Sequence, residues 1–146
     1  MTVFVAVAAL VGVLALATVL GVLLRSRTGR ARSGRTDTHP TADLAPETAF
    51  GTRATLVQFS TPTCARCPAT RRQLDAVAGR HDGVTRLEID LAERPELARR
   101  FDVMQTPTVL LLDADRAVRT RFGGPPRPPE LAAALDTVLT GRQESR

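Results

Sequence analysis

The chain has no lysine, tryptophan or tyrosine, and its 146 residues include two cysteines and two histidines. Without Trp or Tyr it lacks the large aromatic platforms on which single-stranded bases stack. Cys64 and Cys67 are too close together to staple distant parts of a fold, so they serve chemistry or a metal. His39 and His81 show no ligand spacing, which leaves a four-ligand zinc centre short of donors; His81 reads as a solvated helix-end residue. No internal repeat is evident.

Lysine is replaced throughout by arginine, and the net charge is +5. A strongly basic surface would suggest an acidic partner. However, Arg25, Arg27, Arg30, Arg32 and Arg35 crowd one stretch, which leaves 15 of the 20 arginines against 14 of the 15 acidic residues from position 41 onward. The folded part is therefore nearly neutral, and no nucleic-acid partner is expected.

No charge interrupts the run from Val3 to Leu24. A helix of that length matches a hydrocarbon core of about 30 Å, so residues 3–24 are expected to hold the chain in a cell membrane as a single pass. The rival reading, a cleaved signal peptide, calls for basic residues before a shorter apolar stretch and a small-x-small site after it. Here Met1 and Thr2 precede the run, and Val22-Leu23-Leu24-Arg25 follows. The five arginines after the span and none before it favour an outward N-terminus and a cytoplasmic C-terminal domain. An extracytoplasmic domain is the alternative. The expected division is an anchor at 1–24, a flexible Arg-rich linker at 25–49, a folded domain at 50–142 and a tail at 143–146.

Within the domain, strand and helix signals alternate. Ala54–Ser60, Val84–Asp90, Thr108–Leu112 and Ala117–Phe122 read as strands; Ala65–Arg80, Arg94–Phe101 and Pro129–Leu139 read as helices. The order βαβαββα predicts an α/β fold with a central mixed sheet flanked by helices.

The cysteines lie where the first strand gives way to the first helix, in Ser60-Thr61-Pro62-Thr63-Cys64-Ala65-Arg66-Cys67-Pro68. Beside a helix N-terminus a thiolate is favoured, which makes Cys64 the expected nucleophile. Cys67, one turn deeper, is placed to resolve the mixed disulfide. Arg66 adds positive charge, and Pro68, unable to bond the Cys64 carbonyl, is expected to bend the first turn. The redox-active Cys64–Cys67 disulfide would then need no separate cofactor. A C-x-x-C loop also suits Cu(I), so a copper-binding module without redox catalysis stands as an alternative of another class.

Strand, C-x-x-C at a helix start and Thr106-Pro107 before a buried strand together resemble the thioredoxin family, over roughly residues 50–140. Phe59, Asp90 and Gly123-Gly124 match further family positions. The resemblance implies a trimmed thioredoxin-like fold, a cis Thr106-Pro107 bond, and substrate positioning by Thr106 and Pro107. It also implies thiol-disulfide oxidoreductase activity on disulfide-containing protein substrates, with a separate electron donor or acceptor. Two tuning positions depart from the pattern: Thr63 stands where the family usually has Trp, and Gln58 where it has a buried Asp that moves protons. Glutamine is no general base, so slower exchange is expected. Water or Glu88 could take its place, with Glu88 read as facing outward from its strand.

Overall fold

A computed structural model describes residues 1–27, 31–33, 41 and 43–141. Helix α1, Thr2–Arg27, is exposed along its apolar length, and its segment Thr2–Leu24 is long and apolar enough to cross a membrane. The other elements are β1 (Ala31–Ser33), a 3-10 turn (Glu47–Ala49), β2 (Ala54–Ser60), α2 (Cys67–Ala78), β3 (Val84–Asp90), α3 (Glu96–Arg100), β4 (Thr108–Asp113), β5 (Val118–Gly123) and α4 (Pro128–Gly141). From β2 onward this is the βαβαββα order.

The sheet runs β1-β5-β4-β2-β3. β2 is parallel to β3 and antiparallel to β4, and the β4–β5 hairpin continues antiparallel, so the sheet is mixed. All seven residues of β2 are buried, as expected of a strand paired on both sides and covered on both faces. Its side chains alternate between two cores. Val57 and Phe59 pack with Leu44, Leu97, Phe101 and Leu110, where the Phe59 and Phe101 rings lie 5.5 Å apart. Ala54 and Leu56 pack with Leu74 of α2, Leu131 and Leu135 of α4, and Phe122. Burying a side chain of this size stabilises by roughly 1.5–3 kcal/mol, so these two layers dominate the fold.

The stretch expected to be a linker is partly built into the body. β1 pairs antiparallel with β5, with Ala31 opposite Phe122 and Ser33 opposite Thr120. Ala-Arg-Ser carries no apolar alternation, yet main-chain groups on an open sheet edge accept a partner of almost any sequence. Farther on, the Thr41 hydroxyl donates to the Arg116 carbonyl at 2.7 Å, and Leu44 is buried. Arg94 donates to the carbonyls of Leu44 and Asp43, Arg100 clasps the Asp43 carboxylate, and Arg116 pairs with Glu47. The packed unit thus begins before residue 50. Gly51 completes the junction: a Cβ there would lie 2.1 Å from the Ala54 carbonyl oxygen.

Candidate active site

Three chain segments meet at one end of the sheet. β2 ends at Ser60 and releases the loop to Cys64; β4 begins at Thr108, just after Thr106-Pro107; β5 ends at Gly123. The antiparallel register of β2 and β4 sets Phe59 opposite Thr108, so the loop after one strand meets the loop before the other. Thr61 and Thr106 hydroxyls stand 3.4 Å apart across that meeting. The Thr106-Pro107 bond is cis. The Gly124 N–H donates to the Pro107 carbonyl at 2.8 Å, and the Thr108 hydroxyl donates to the Gln105 carbonyl at 2.7 Å, which fixes the loop from both sides. Gly124 has a φ of +105°, a conformation that favours glycine at this position.

Cys64 and Cys67 form a disulfide, with Cα atoms 5.4 Å apart. They are unequal: Cys67 is 3% exposed, whereas Cys64 is partly open to solvent between the exposed residues Thr63 and Ala65. Helix α2 starts at Cys67, later than the sequence pattern suggested, so Cys64 stands one turn outside it. The Cys67 N–H donates to the Cys64 carbonyl at 3.3 Å. This corrects the reading of Pro68. Proline is the second residue of α2, where helical geometry asks for no N–H, so it starts the helix and breaks no bond to Cys64. Arg66, exposed, occupies the N-cap; its carbonyl accepts from the Thr70 N–H and hydroxyl, and its side chain makes no cap bond.

Gln58 is fully buried on the α2 side of β2. Its Nε2 donates to the Cys67 carbonyl at 3.1 Å, while its buried Oε1 has no hydrogen-bond partner among the described residues. The amide thus holds the backbone of the deeper cysteine. Glu88 does not face outward. It lies against α2, where its carboxylate accepts from the Ser60 hydroxyl at 2.9 Å and from Arg71 at 2.7 Å, and pairs with Arg86 at 3.1 Å. Burial pushes its carboxyl up, but the hydrogen bonds from Arg71 and Ser60 and the charges of Arg71 and Arg86 outweigh this and hold it below the ordinary range. A carboxylate so held stays ionised at neutral pH and is a poor match to a thiol proton.

Ser60, Thr61 and Arg71 belong to this neighbourhood and were not singled out by the sequence pattern. Their relevance depends on strand register, which brings residues 45 positions apart together, and local spacing carries no trace of it. His81 is exposed beyond the end of α2, and His39 lies outside the described residues. Among the described residues, no group of three or more His, Cys, Asp or Glu side chains is arranged to hold a metal ion.

The thioredoxin family model matches residues 43–137. The thioredoxin of Alicyclobacillus acidocaldarius is 32% identical over 90 residues, covering 61% of this chain and 85% of that protein. The thioredoxin of Staphylococcus haemolyticus is 33% identical over 85 residues, covering 58% and 81%. Two solved structures show the same fold. Thioredoxin-2 of the malaria parasite superposes with a TM-score of 0.53 at 22% identity, covering 58% of this chain and 82% of that one. Fasciola hepatica thioredoxin superposes with a TM-score of 0.51 at 22% identity, covering 59% and 81%.

Proposed function

This chain belongs to the thioredoxin family and is a thiol-disulfide oxidoreductase, and from that premise we propose that it reduces protein disulfides at a membrane, with Cys64 attacking and Cys67 resolving. The observation that carries the assignment of roles is the unequal exposure of the pair: a substrate sulfur reaches Cys64 and is barred from Cys67.

In the reduced protein the Cys64 thiolate attacks one sulfur of a substrate disulfide, forming a mixed disulfide and expelling the other substrate sulfur as a thiolate. Cys67 then loses its proton and attacks Cys64 Sγ. The mixed disulfide breaks, the Cys64–Cys67 disulfide forms, and the second substrate thiol leaves. Two electrons pass to the substrate with two protons, and a separate electron donor restores the dithiol; no other cofactor takes part. Thr106 and Pro107, fixed beside the loop that bears Cys64, position the substrate chain. Gln58 does not titrate and Glu88 is tied up by Arg71 and Ser60, so water takes the Cys67 proton and exchange is slower than with a buried carboxylate at this place. Thr63 leaves the rim by Cys64 free of a large aromatic side chain, and Arg66 adds a solvated positive charge.

α1 supplies the anchor, with the domain on the cytoplasmic side, a reading supported by the arginines that follow the apolar run. Alkaline phosphatase fused after residue 146 should be inactive; an active fusion moves the domain outside. For the chemistry, Cys64→Ser should abolish reduction of insulin and of a model disulfide, and Cys67→Ser should accumulate a mixed disulfide. Full activity in Cys64→Ser, or stoichiometric Cu(I) binding without any reductase activity, would overturn the proposal.

A further inference from the structure

The connection between α1 and the sheet decides which way the redox site points. α1 ends at Arg27 and β1 begins at Ala31. Four Cα–Cα steps of 3.8 Å allow at most ~15 Å between those two residues. Without the β1 pairing, the next contact with the domain among the described residues is at Thr41, fourteen positions after Arg27, a stretch that spans ~50 Å at full extension. β1 therefore turns a long leash into a short one.

The register shows where that leash enters. Ala31 lies opposite Phe122, whose neighbour Gly123 pairs with Thr108, the residue that follows Thr106-Pro107. β1 thus starts at the end of the sheet that carries the cysteines and runs away from it. A second observation agrees: Thr41 is bonded to Arg116, in the β4–β5 turn at the opposite end. Among the described residues, the chain meets the domain first at the redox end and then at the far one. Across the sheet, β1 and β2 are three strand spacings apart, ~14 Å at about 4.8 Å each.

We infer that the short Arg27–Ala31 connection and the β1–β5 register turn the Cys64–Cys67 end of the domain toward the bilayer, and that its substrate is a disulfide in a membrane protein segment lying near the lipid surface. The inference rests on the reading of α1 as a membrane span and of the cysteine pair as a reductase. The far end, with the Asp113–Arg116 turn, stands away from the lipid by about the length of β2, seven residues at ~3.3 Å or ~23 Å. The arginines from position 25 to 35 fall at this junction in the sequence and favour contact with anionic headgroups. A soluble protein disulfide gains nothing from this arrangement, because it must enter the gap between domain and membrane. A disulfide confined to the same surface meets Cys64 at raised local concentration.

The test uses the full chain in anionic vesicles. In a Cys64→Ser, Cys67→Ser background, Met104→Cys and Asp115→Cys each take one donor fluorophore at an exposed position, Met104 beside the Thr106-Pro107 loop and Asp115 at the far turn. Energy transfer to a headgroup acceptor should be clearly greater from position 104; equal or reversed transfer overturns the inference. A second measurement uses the unlabelled chain with both cysteines intact. It compares reduction of one disulfide peptide carried on a transmembrane helix in the same vesicle with reduction of that peptide free in solution. Inserting twenty Gly/Ser residues after Gly29 lengthens the connection sixfold. The longer connection lets the domain leave the surface and opens the gap, so the membrane-borne rate should fall several-fold relative to the soluble one, which stays the same or rises. An unchanged membrane-borne rate overturns the orientation alone. Failure of the chain to float with vesicles removes the anchor and the inference with it, and soluble reductase activity surviving in Cys64→Ser removes the reductase reading.

Discussion

Replacing Gln58 with methionine isolates what the buried amide does. Methionine keeps the unbranched length of the side chain and removes both polar atoms. In the oxidised protein the change forfeits the Nε2 bond to the Cys67 carbonyl, about 1 kcal/mol, and also relieves an acceptor that has no partner, worth about 1–3 kcal/mol. The oxidised form should therefore be unchanged or stabilised by up to about 2 kcal/mol. Reduction alters the balance, because in the reduced form the Cys67 S–H is expected to turn toward Oε1, which has no partner among the described residues. The relief disappears and only the loss remains, so Gln58→Met destabilises the reduced form by about 1 kcal/mol. The two states then respond differently by about 1–3 kcal/mol. Since 1.4 kcal/mol corresponds to 30 mV for a two-electron couple, the potential should fall by roughly 20–60 mV. Urea unfolding of each redox state, followed by circular dichroism because the chain has no Trp or Tyr, gives the stabilities. Equilibration against glutathione gives the potential. Equal effects in both states, or an oxidised form weakened by about 1 kcal/mol or more, would refute the reasoning, since either result means that Oε1 already has a partner when the disulfide is closed.

Other outcomes follow from the same geometry. Glu88→Gln should cost about 1.5 kcal/mol at neutral pH through the loss of charge-assisted bonds from Arg71 and Ser60. The folded carboxyl is held below its ordinary value of 4.5, so this contribution is complete above that value and is lost as pH falls through the lowered folded one. Wild type and variant should therefore converge in acid unfolding curves; a difference that persists at low pH would contradict the assignment. Gly51→Ala drives a methyl group onto the Ala54 and Gly83 carbonyls and should destabilise the domain by at least about 3 kcal/mol, measured as a fall in the urea midpoint. After reduction, a limiting amount of alkylating reagent should label Cys64 at least tenfold over Cys67, read by peptide mass; equal labelling would remove the basis for assigning the attacking thiol.

The parts of the fold legible in the sequence were those that follow from local pattern. β2 and β3 have the bounds that their apolar runs suggest, because a buried strand needs such a run between turn residues. The Thr106-Pro107 loop was placed through its resemblance to a family, and a single sequence holds no statement of which segment faces it. The pattern starts α2 at Ala65, whereas Pro68 takes the second helical position and the helix begins at Cys67. Alternation in Val84–Asp90 does not say which face Glu88 takes; the arginines of α2 and β3 decide it. β1 was illegible, since its pairing uses main-chain groups that every residue carries.

The sheet order also sets a hierarchy of opening. Amides of β2, buried along its length and bonded on both sides, are released only when the whole domain opens, so they should be the last to exchange with deuterium. The loop bearing Cys64 grows directly from that strand and inherits its fixed position. β1, three residues on an outer edge, belongs to the first unit to open. Release of that edge strand would therefore leave the cysteine pair and the strand beneath it folded.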